Sequence, residues 1–394
     1  MQKILYFDHA ATTAVNEEVL KEMLPYFELN YGNASSIYGI GRQSKRAIEK
    51  ARIQVANAIG CKQKEIYFTG CGSESDNLAI KGVAYANKQK GNHIITTRIE
   101  HPAILNTCRT LEKQGFKITY LGVDKEGFIN LGELEQAITD KTILVSVMFT
   151  NNEIGTLQPI KEIGELAKKH KVLFHTDAVQ AVGNVKINVQ ELNIDLLSMS
   201  AHKFYGPKGV GALYVKEGIE FEKILDGGHQ EKNKRAGTEN VPGIVGMGKA
   251  IEIAYKNIEE NNKKLVSLRD YYIEKVKEKI PNIKINGSLE NRLPGNCNIS
   301  FINIDGEELL FKLDSKGICA STGSACSSGS SEPSHVLTAI GLPAEIANSS
   351  LRITFGNENT KQDVDYLVQC LEEICHTGDS CHIGDRSQSA NLAD

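Results

Sequence analysis

Short β-rich runs alternate with segments of helical periodicity between about residues 45 and 250. The β-rich runs are HIITT, KITYL, ILVSVMF, VLFHT, IDLLSMS and GALYV, and helical segments such as PIKEIGELAKKHK lie between several of them. Two parallel strands need a crossover connection, which is usually a helix, so this alternation predicts βαβ units. We therefore expect an α/β fold with a mostly parallel sheet flanked by helices.

The length of the chain and one long helical segment predict two domains. A chain of 394 residues exceeds what one hydrophobic core normally organises. Residues 250–280 contain neither glycine nor proline, which predicts one long helix, or two in line, between the domains. We expect a large domain over residues 15–255 and a smaller α+β domain built from residues 1–14 and 256–376. Residues 377–394 are polar and aperiodic, and are expected to form a disordered tail.

Composition and charge argue against several functions. The net charge of −4, from 45 basic and 49 acidic residues, gives no reason to expect nucleic acid or a membrane surface as a partner. The N-terminus does not resemble a secretory signal, and the strongest apolar run, residues 143–149, is too short to span a bilayer. We therefore expect a cytoplasmic location, with the nine cysteines reduced.

The cysteines do not follow a zinc-finger spacing. They form no CxxC pair, and we assign no metal site. The tail contains two Cys-His dipeptides, Cys375–His376 and Cys381–His382, and metal binding by this segment is left open beside the interpretation that it is unstructured.

Polar side chains follow four of the predicted strands. These side chains are His101, then Asn151 and Asn152, then Asp177 and Gln180, and finally Ser200, His202 and Lys203. In an open parallel sheet, ligands bind beyond the carboxyl ends of the strands. Polar side chains after four of the strands therefore predict one ligand-binding site.

Lys203 and Asp177 suggest the chemistry of that site. A lysine partly withdrawn from water becomes an amine nucleophile that can form a Schiff base; the alternative is a structural lysine at a strand end. A carboxylate such as Asp177 can hold a proton on a pyridine nitrogen; the alternative is a helix N-cap. Together they form the arrangement that pyridoxal phosphate requires.

The segment FTGCGSESDNLAIKG, residues 68–82, predicts a cradle for a phosphate. Gly70 and Gly72 open a turn after a strand, and Ser73 lies at the start of a helix. Free backbone N–H groups and the helix dipole favour an anion at this place. Ser200 and His202 can add side-chain donors to the same phosphate.

A serine- and glycine-rich segment carries Cys326. Residues 319–335, CASTGSACSSGSSEPSH, have the composition of a mobile loop. Because a cysteine is normally buried, a thiol here suggests a group that moves toward a second site. The alternative for Cys326 is an idle surface thiol. Cys319 either resolves a persulfide or is a buried thiol at a strand end.

These motifs together resemble the cysteine desulfurases of the NifS/IscS group. The most specific parts are SAHKFYGPKG, TDAVQ, RAGTEN and GSACSSGS followed by PSHVL, and the resemblance runs from YFDHAATT to CLEEIC. Members of this group are pyridoxal-phosphate enzymes of the class V aminotransferase family. The resemblance thus implies the PLP-dependent transferase fold of type I, with a large PLP-binding domain and a small domain.

The resemblance also implies a role for each site residue. The implied catalytic residues are the cofactor-bearing Lys203, the ring-stacking His101 and the nucleophile Cys326. The implied cofactor contacts are Asp177 at the pyridine nitrogen, Asn152 and Gln180 near the phenolic oxygen, Gly72, Ser73, Ser200 and His202 at the phosphate, and Thr238 across a dimer interface. Arg352 is implied as the clamp for the substrate carboxylate, and Cys326 is also a possible ligand of a transferred iron–sulfur cluster.

The implied reaction removes sulfur from L-cysteine and leaves alanine and a persulfide on Cys326. The implied partners are a second copy of the chain and an iron–sulfur scaffold or another sulfur-acceptor protein. Two alternatives stay open: a selenocysteine lyase or other class V enzyme, and a non-catalytic sulfur carrier or scaffold. The group often has GNPSSxH where this chain has GNASSIYG, with Ala34 and Tyr38, which leaves the choice between cysteine and selenocysteine open.

Overall fold

Strands and helices alternate along most of the chain. The computed structural model describes residues 4–322 and 332–378. The strands are β1 (Leu5–Tyr6), β2 (Ile66–Thr69), β3 (His93–Thr97), β4 (Lys117–Leu121), β5 (Thr142–Ser146), β6 (Leu173–Asp177), β7 (Leu196–Ser200), β8 (Gly211–Val215), β9 (Ile283–Asn286), β10 (Asn296–Phe301), β11 (Ile318–Cys319) and β12 (Ser350–Thr354). The helices are α1 (Glu17–Met23), α2 (Pro25–Glu28), α3 (Gly39–Ile59), α4 (Gly72–Ala86), α5 (Pro102–Glu112), α6 (Leu131–Ala137), α7 (Ile160–Lys169), α8 (Gln230–Asn233), α9 (Val241–Lys256), α10 (Ile258–Lys279), α11 (Gly306–Ser315), α12 (His335–Ala339), α13 (Ala344–Asn348) and α14 (Lys361–Gly378). Two short 3₁₀ turns span Gln63–Glu65 and Ala201–Lys203.

The central sheet has seven strands in the order β2-β8-β7-β6-β5-β3-β4. Every pair from β7 to β4 is parallel. Strand β8 runs antiparallel to both of its neighbours, β2 and β7. The prediction of a mostly parallel sheet is therefore confirmed.

Both faces of this sheet are buried against helices. Leu144 packs in a cluster with residues of α4 and α5, whereas the next residue, Val145, packs in a cluster with residues of α3, α7 and α9. Leu196 and Leu197 divide in the same way. Successive strand residues point to opposite faces, so these apolar runs without alternation arise because each face has its own core.

Helix α3 shows how the local sequence sets a boundary. Its buried residues include Ala47, Ala51 and Val55, which recur at intervals of four. The helix ends at Gly60, whose φ of 73° lies in the left-handed region. A Cβ there would also lie 2.9 Å from Asn188 Oδ1. Glycine avoids both problems, which explains why the helix ends at this residue.

The helical segment predicted over residues 250–280 consists of two helices. Helix α9 ends at Lys256, Asn257 has φ −106° and ψ 7°, and α10 begins at Ile258. Asn257 leaves the α-helical region, so the backbone turns at that single residue.

A smaller sheet and a separate core involve the two ends of the chain. The sheet has the order β12-β10-β9 with antiparallel pairs, and β1 pairs in parallel with β11. Leu5 and Phe7 join a hydrophobic cluster whose other members come from residues 265–375. We propose on this basis the division into residues 15–255 and residues 1–14 with 256–376. Among the described helices, none is both long enough and apolar enough to cross a membrane.

Candidate active site

Four adjacent strands bring the predicted residues to one edge of the central sheet. His101, Asn152, Asp177 and Lys203 lie at or after the carboxyl ends of β3, β5, β6 and β7, and these strands are consecutive neighbours in the sheet. Because they all run parallel, their carboxyl ends meet at one edge. The prediction that these strand ends share one edge is therefore confirmed.

Lys203 lies in the 3₁₀ turn that directly follows β7. Its Nζ donates hydrogen bonds to the carbonyl oxygens of Ala10 and Ala11, the second at 2.8 Å. Gln180 Nε2 donates to the same Ala10 carbonyl at 2.9 Å. The N-terminal segment therefore holds the amine of Lys203 next to the Gln180 amide, in a half-buried position.

Asp177 and His101 lie within electrostatic reach of each other. Asp177 is buried, and burial raises its pKa, while His101 and Lys203 oppose the rise. Burial also lowers the pKa of His101. His101 Nδ1 accepts a hydrogen bond from the Ala103 N–H at 3.1 Å, which leaves the proton of the neutral ring on Nε2.

The alternative role of Asp177 as a helix N-cap is wrong. Residues 178–195 are described throughout and contain no helix. Asp177 Oδ1 accepts instead from the Val179 N–H at 2.9 Å, which closes a local turn. This turn is compatible with a second contact of the carboxylate, because its other oxygen stays available.

The cradle at the start of α4 fits a phosphate group. Helix α4 begins at Gly72, where a Cβ would lie 2.7 Å from Val179 Cγ2. The same Cβ would lie 3.4 Å from Ser200 Cβ, so Ser200 adjoins this helix start. Ser200 Oγ is buried without a hydrogen-bond partner among the described residues. An unpartnered hydroxyl beside a helix N-terminus is suited to an anion, and Ser73 lies there on the exposed side.

His202 is held as a neutral ring. Its Nδ1 lies 3.1 Å from Thr12 Oγ1, and burial together with the charges of Lys203 and Lys208 lowers its pKa to about 4. A neutral imidazole can donate one hydrogen bond and accept another. His202 can therefore donate to an oxyanion without adding a buried charge.

Arg352 closes the site from the smaller sheet. Its Nη2 donates to Asp8 Oδ1 at 2.7 Å, and its Nη1 donates to the Asn152 backbone oxygen at 3.0 Å. The side chain is 3 % exposed, and its Nε has no hydrogen-bond partner in residues 4–322 and 332–378. A guanidinium that is oriented on two sides and has a spare donor is suited to bind a carboxylate.

The two described stems beside Cys326 approach this site from different directions. The Ser321 N–H donates to the Arg352 carbonyl at 3.3 Å, and the Arg352 N–H donates back to the Ser321 carbonyl at 2.6 Å. On the other stem, Ser334 Oγ donates to the Glu153 carboxylate, and His335 Nε2 lies 3.0 Å from the backbone oxygen of Glu100. Of the described residues that flank 323–331, Ser321 therefore contacts Arg352, whereas Ser334 and His335 contact Glu153 and Glu100.

Comparison with known proteins identifies the family. The family described as Aminotransferase class-V matches residues 5–367 of the chain. The chain belongs to the class V aminotransferase family. A curated relative, cysteine desulfurase IscS of Clostridium botulinum, is 58% identical over 376 residues, which cover 95% of each chain.

Solved structures of class V aminotransferase relatives have the same architecture. A NifS-like protein superposes with a TM-score of 0.90 at 39% identity and covers 95% of this chain and 100% of its own. SspA in complex with cysteine superposes with a TM-score of 0.80 at 39% identity and covers 89% of this chain and 98% of its own. The expected type I fold of the class V family is therefore confirmed.

The structure leaves the roles of two residues implied by the family resemblance untested. Cys326 lies outside the described residues, as do Cys381 and His382. Thr238 is exposed in the segment between α8 and α9. The nearest link from that segment to the cradle is Arg235, whose Nε donates to Glu74 Oε1 at 2.6 Å. The contact of Thr238 with a cofactor stays a prediction.

Cys319 lies in the two-residue strand β11 rather than in a loop. It is half-buried, and burial raises its pKa, with further contributions from Asp314 and Asp8. A raised pKa keeps the sulfur as a thiol, which is a poor nucleophile. This position favours the interpretation of Cys319 as a strand-end thiol.

The N-terminal segment Asp8–Thr13 contacts the site although its sequence pattern predicts no role for it. This segment supplies the partners of Lys203, Gln180, His202 and Arg352. Asp8 also forms a backbone bridge with Thr354 in β12. The motif YFDHAATT contains this segment, but it has neither a glycine turn nor a periodic pattern that would indicate a role. Its role is visible only in contacts with residues far away in the sequence.

Glu100, beside His101, is a second residue that the sequence analysis missed. It is wholly buried, and its Oε1 accepts from Thr97 Oγ1 at 2.8 Å and from the Met148 N–H at 2.9 Å. Burial raises its pKa to about 8. Glu100 therefore carries a proton over much of the neutral range and adds no full charge behind His101.

Proposed function

We propose that this chain removes sulfur from L-cysteine with the help of pyridoxal 5'-phosphate, and so acts as a cysteine desulfurase. The observation that carries the proposal is the meeting of the Lys203 amine, the Asp177 carboxylate and the phosphate-compatible cradle at one sheet edge. Relatives named cysteine desulfurase, at up to 58% identity, support it.

The residues present fit the cofactor. Lys203 would attach it, Asp177 would hold its ring nitrogen, and the start of α4 with Ser200 and His202 would bind its phosphate. Asn152, Gln180 and His101 would contact the ring, and Ser73 and the partner copy's Thr238 would add phosphate contacts in the proposed homodimer. When bound, the cofactor supplies an electron sink that weakens the bond between carbon and sulfur in the substrate.

Arg352 orients the substrate in this proposal. Its guanidinium is already aligned by Asp8 and the Asn152 carbonyl, so little side-chain entropy is lost when a carboxylate binds. The amino group of the substrate then faces the half-buried amine of Lys203. The neutral ring of His101 carries its proton on Nε2 and can donate that proton within the site.

Cys326 takes the sulfur. Its thiolate attacks the substrate sulfur, an S–S bond forms, and the C–S bond breaks. The electron pair stays on the substrate carbon, which takes up a proton and becomes part of alanine. The stems at Ser321 and Ser334 flank Arg352 and the Glu100–His101 pair, which supports a path for Cys326 to the substrate.

The finer assignments follow from the relatives' names. The name IscS supports a role in iron–sulfur cluster assembly, with an iron–sulfur scaffold or another sulfur acceptor as the partner. A transient iron–sulfur cluster on Cys326 is a further part of this proposal. We also propose a cytoplasmic location, which the lack of disulfides among the seven described cysteines supports.

Mass spectrometry after incubation with L-cysteine tests the function. We expect the peptide that contains Cys326 to gain about 32 Da, one sulfur atom, while alanine forms in the same amount. The Cys326→Ser variant is the control and should gain no sulfur on that peptide. Alanine without persulfide, or persulfide on another cysteine, would overturn the assignment of Cys326.

A further inference from the structure

A buried polar network lies beside the Asp177 end of the sheet. His175 Nδ1 lies 2.9 Å from Ser146 Oγ, and His175 Nε2 lies 3.0 Å from Ser198 Oγ. Asp76 Oδ1 lies 3.8 Å from the same Nε2. All four side chains are at most 1 % exposed, although each carries a polar group. Burying polar groups costs free energy, so the presence of this network at this place requires an explanation.

The strand register connects this network to Asp177. His175 and Asp177 are two residues apart in β6, so their side chains share one face of the sheet. Ser198 in β7 is the register partner of Asp177, and Ser146 in β5 is the register partner of His175. Asp76 comes from α4, the helix that begins at the phosphate cradle and covers this face.

Asp76 and Asp177 compete for negative charge. Burial raises the pKa of Asp76 well above its usual range, and the charge of Asp177 raises it further; Glu100 and Cys71 add smaller contributions, and a hydrogen bond from Ser198 opposes the rise. Electrostatic interactions with His101 and Lys203 act instead on Asp177, whose pKa they lower. Asp76 Oδ1 is buried without a hydrogen-bond partner in the part of the chain that the structure describes, whereas Asp177 Oδ1 accepts from the Val179 N–H, so a single negative charge is more stable on Asp177 than on Asp76.

His175 adds no positive charge that could reverse this preference. Burial lowers its pKa to about 3, so the ring is neutral near pH 7. Both ring nitrogens have a serine hydroxyl as partner, and a hydroxyl can either donate or accept. The network can thus adapt its proton positions without separating charge.

We propose that Asp76 and His175 are positioning residues that confine the negative charge of this buried region to Asp177, with Asp76 held in its protonated form. The inference rests on the proposed function, because the charge on Asp177 matters through the ring nitrogen of the cofactor. Its consequence is that the ring stays protonated over a wider pH range than one exposed carboxylate would maintain.

Infrared difference spectroscopy tests the charge state directly. We compare wild-type holoenzyme with Asp76→Asn at pH 7 and expect the variant to lose one protonated-carboxyl stretch. The Glu100→Gln variant identifies the other protonated carboxyl and separates the two bands. Loss of an ionised-carboxylate band in Asp76→Asn would overturn the proposal. This readout does not require turnover, so it remains valid if the desulfurase assignment fails.

A pH titration of the cofactor absorbance in the holoenzyme tests the positioning role. We expect Asp76→Asn, which mimics the protonated acid, to keep the wild-type midpoint. His175→Leu should shift the midpoint by about half a pH unit or more and weaken cofactor binding about tenfold, because the two serine hydroxyls lose their partner. His175→Gln should restore most of both properties, and it also serves if the leucine variant does not fold.

His93→Leu is the matched control. His93 is also buried between two hydroxyls, Thr142 Oγ1 at 2.7 Å and Thr119 Oγ1 at 2.9 Å, but it lies at the opposite ends of the strands. It should change stability without moving the midpoint. Equal midpoint shifts for His93→Leu and His175→Leu, or no shift for either, would show that the network is only structural.

Discussion

The two sides of the proposed site differ in how their residues are held. On the central-sheet side, Asp177 ends β6 and Lys203 lies in the turn that follows β7. Both strands pair with their neighbours in register, and the surroundings of the two residues are buried. On the other side, Arg352 lies in β12, and residues 323–331 connect two stems that are attached to different parts of the site. The side proposed to hold charge is fixed by the sheet, whereas the side proposed to deliver sulfur depends, in its described residues, on contacts between distant segments.

This difference has a physical meaning. Stabilising charge at a reacting centre requires groups that need no reorganisation, and strand ends in a buried sheet provide them. Carrying sulfur to an acceptor, as proposed for Cys326, requires a group that is not held in the same way by the sheet. The following predictions separate the two sides.

Replacement of Lys203 has the largest expected effect. Lys203→Ala should lower sulfide release from L-cysteine by at least ~10³-fold, since the nucleophilic amine is lost. The cofactor absorbance should change with it, while the far-ultraviolet circular dichroism is retained. Lys208→Ala is the control, because Lys208 lies five residues further along the chain and is exposed. Undiminished turnover in Lys203→Ala would contradict the role of the central-sheet side.

Replacement of Cys326 should abolish the acceptance of sulfur without changing the central-sheet side of the site. Cys326→Ser should lower sulfide release at least ~10²-fold, because a hydroxyl cannot replace the thiolate as acceptor of sulfur. Its cofactor absorbance should equal that of the wild type, unlike that of Lys203→Ala. Selenide release from selenocysteine is measured in parallel, and its retention would favour lyase activity as a second function. Cys319→Ser, the control, should keep sulfide release within a few-fold.

Arg352→Lys should weaken substrate binding. A lysine cannot contact Asp8 and the Asn152 carbonyl together and still present a donor to a carboxylate, so we expect KM for L-cysteine to rise about 10- to 100-fold. The value of kcat should change less, because the central-sheet side is untouched. Asp8→Asn keeps the guanidinium and should raise KM less than tenfold. An equal loss in kcat and no change in KM would contradict a binding role.

Glu100→Gln should change the pH dependence of stability rather than turnover. The pKa of Glu100 is about 8 in the folded protein and about 4.5 when unfolded, so the folded state binds more protons between these values. Wild-type stability therefore falls as the pH rises through this range. Relative to wild type, the variant should gain about 1–3 kcal/mol between pH 5 and pH 8 in denaturant titrations of the holoenzyme. A constant difference would show that Glu100 is ionised throughout.

The central-sheet side was largely predictable from the sequence, because strand ends follow from local patterns. Asp177 ends one strand and Lys203 lies in the turn after the next strand, and parallel pairing brings such strand ends together. Asp8 was not predictable in this way. Its partner Arg352 is 344 residues away, and neither residue lies in a periodic pattern that specifies the other.

The same limit applies to the buried network. His175 lies inside an apolar run and Asp76 lies on a helix, so local patterns identify each as an ordinary buried or capping residue. Only the register of β5, β6 and β7, together with the packing of α4, places them beside Asp177. Register depends on which strands become neighbours, and that choice is made by the whole sheet.

The single non-helical residue between α9 and α10, Asn257, joins a helix of the large core to a helix of the small core. Helix α10 has 22 residues and so extends about 33 Å from Asn257. A rotation of about 5° at that residue moves the far end of the helix by about 3 Å, a distance comparable to one hydrogen bond. A torsional change at this asparagine would therefore shift the part of the small core that belongs to α10 relative to α9, which belongs to the large core.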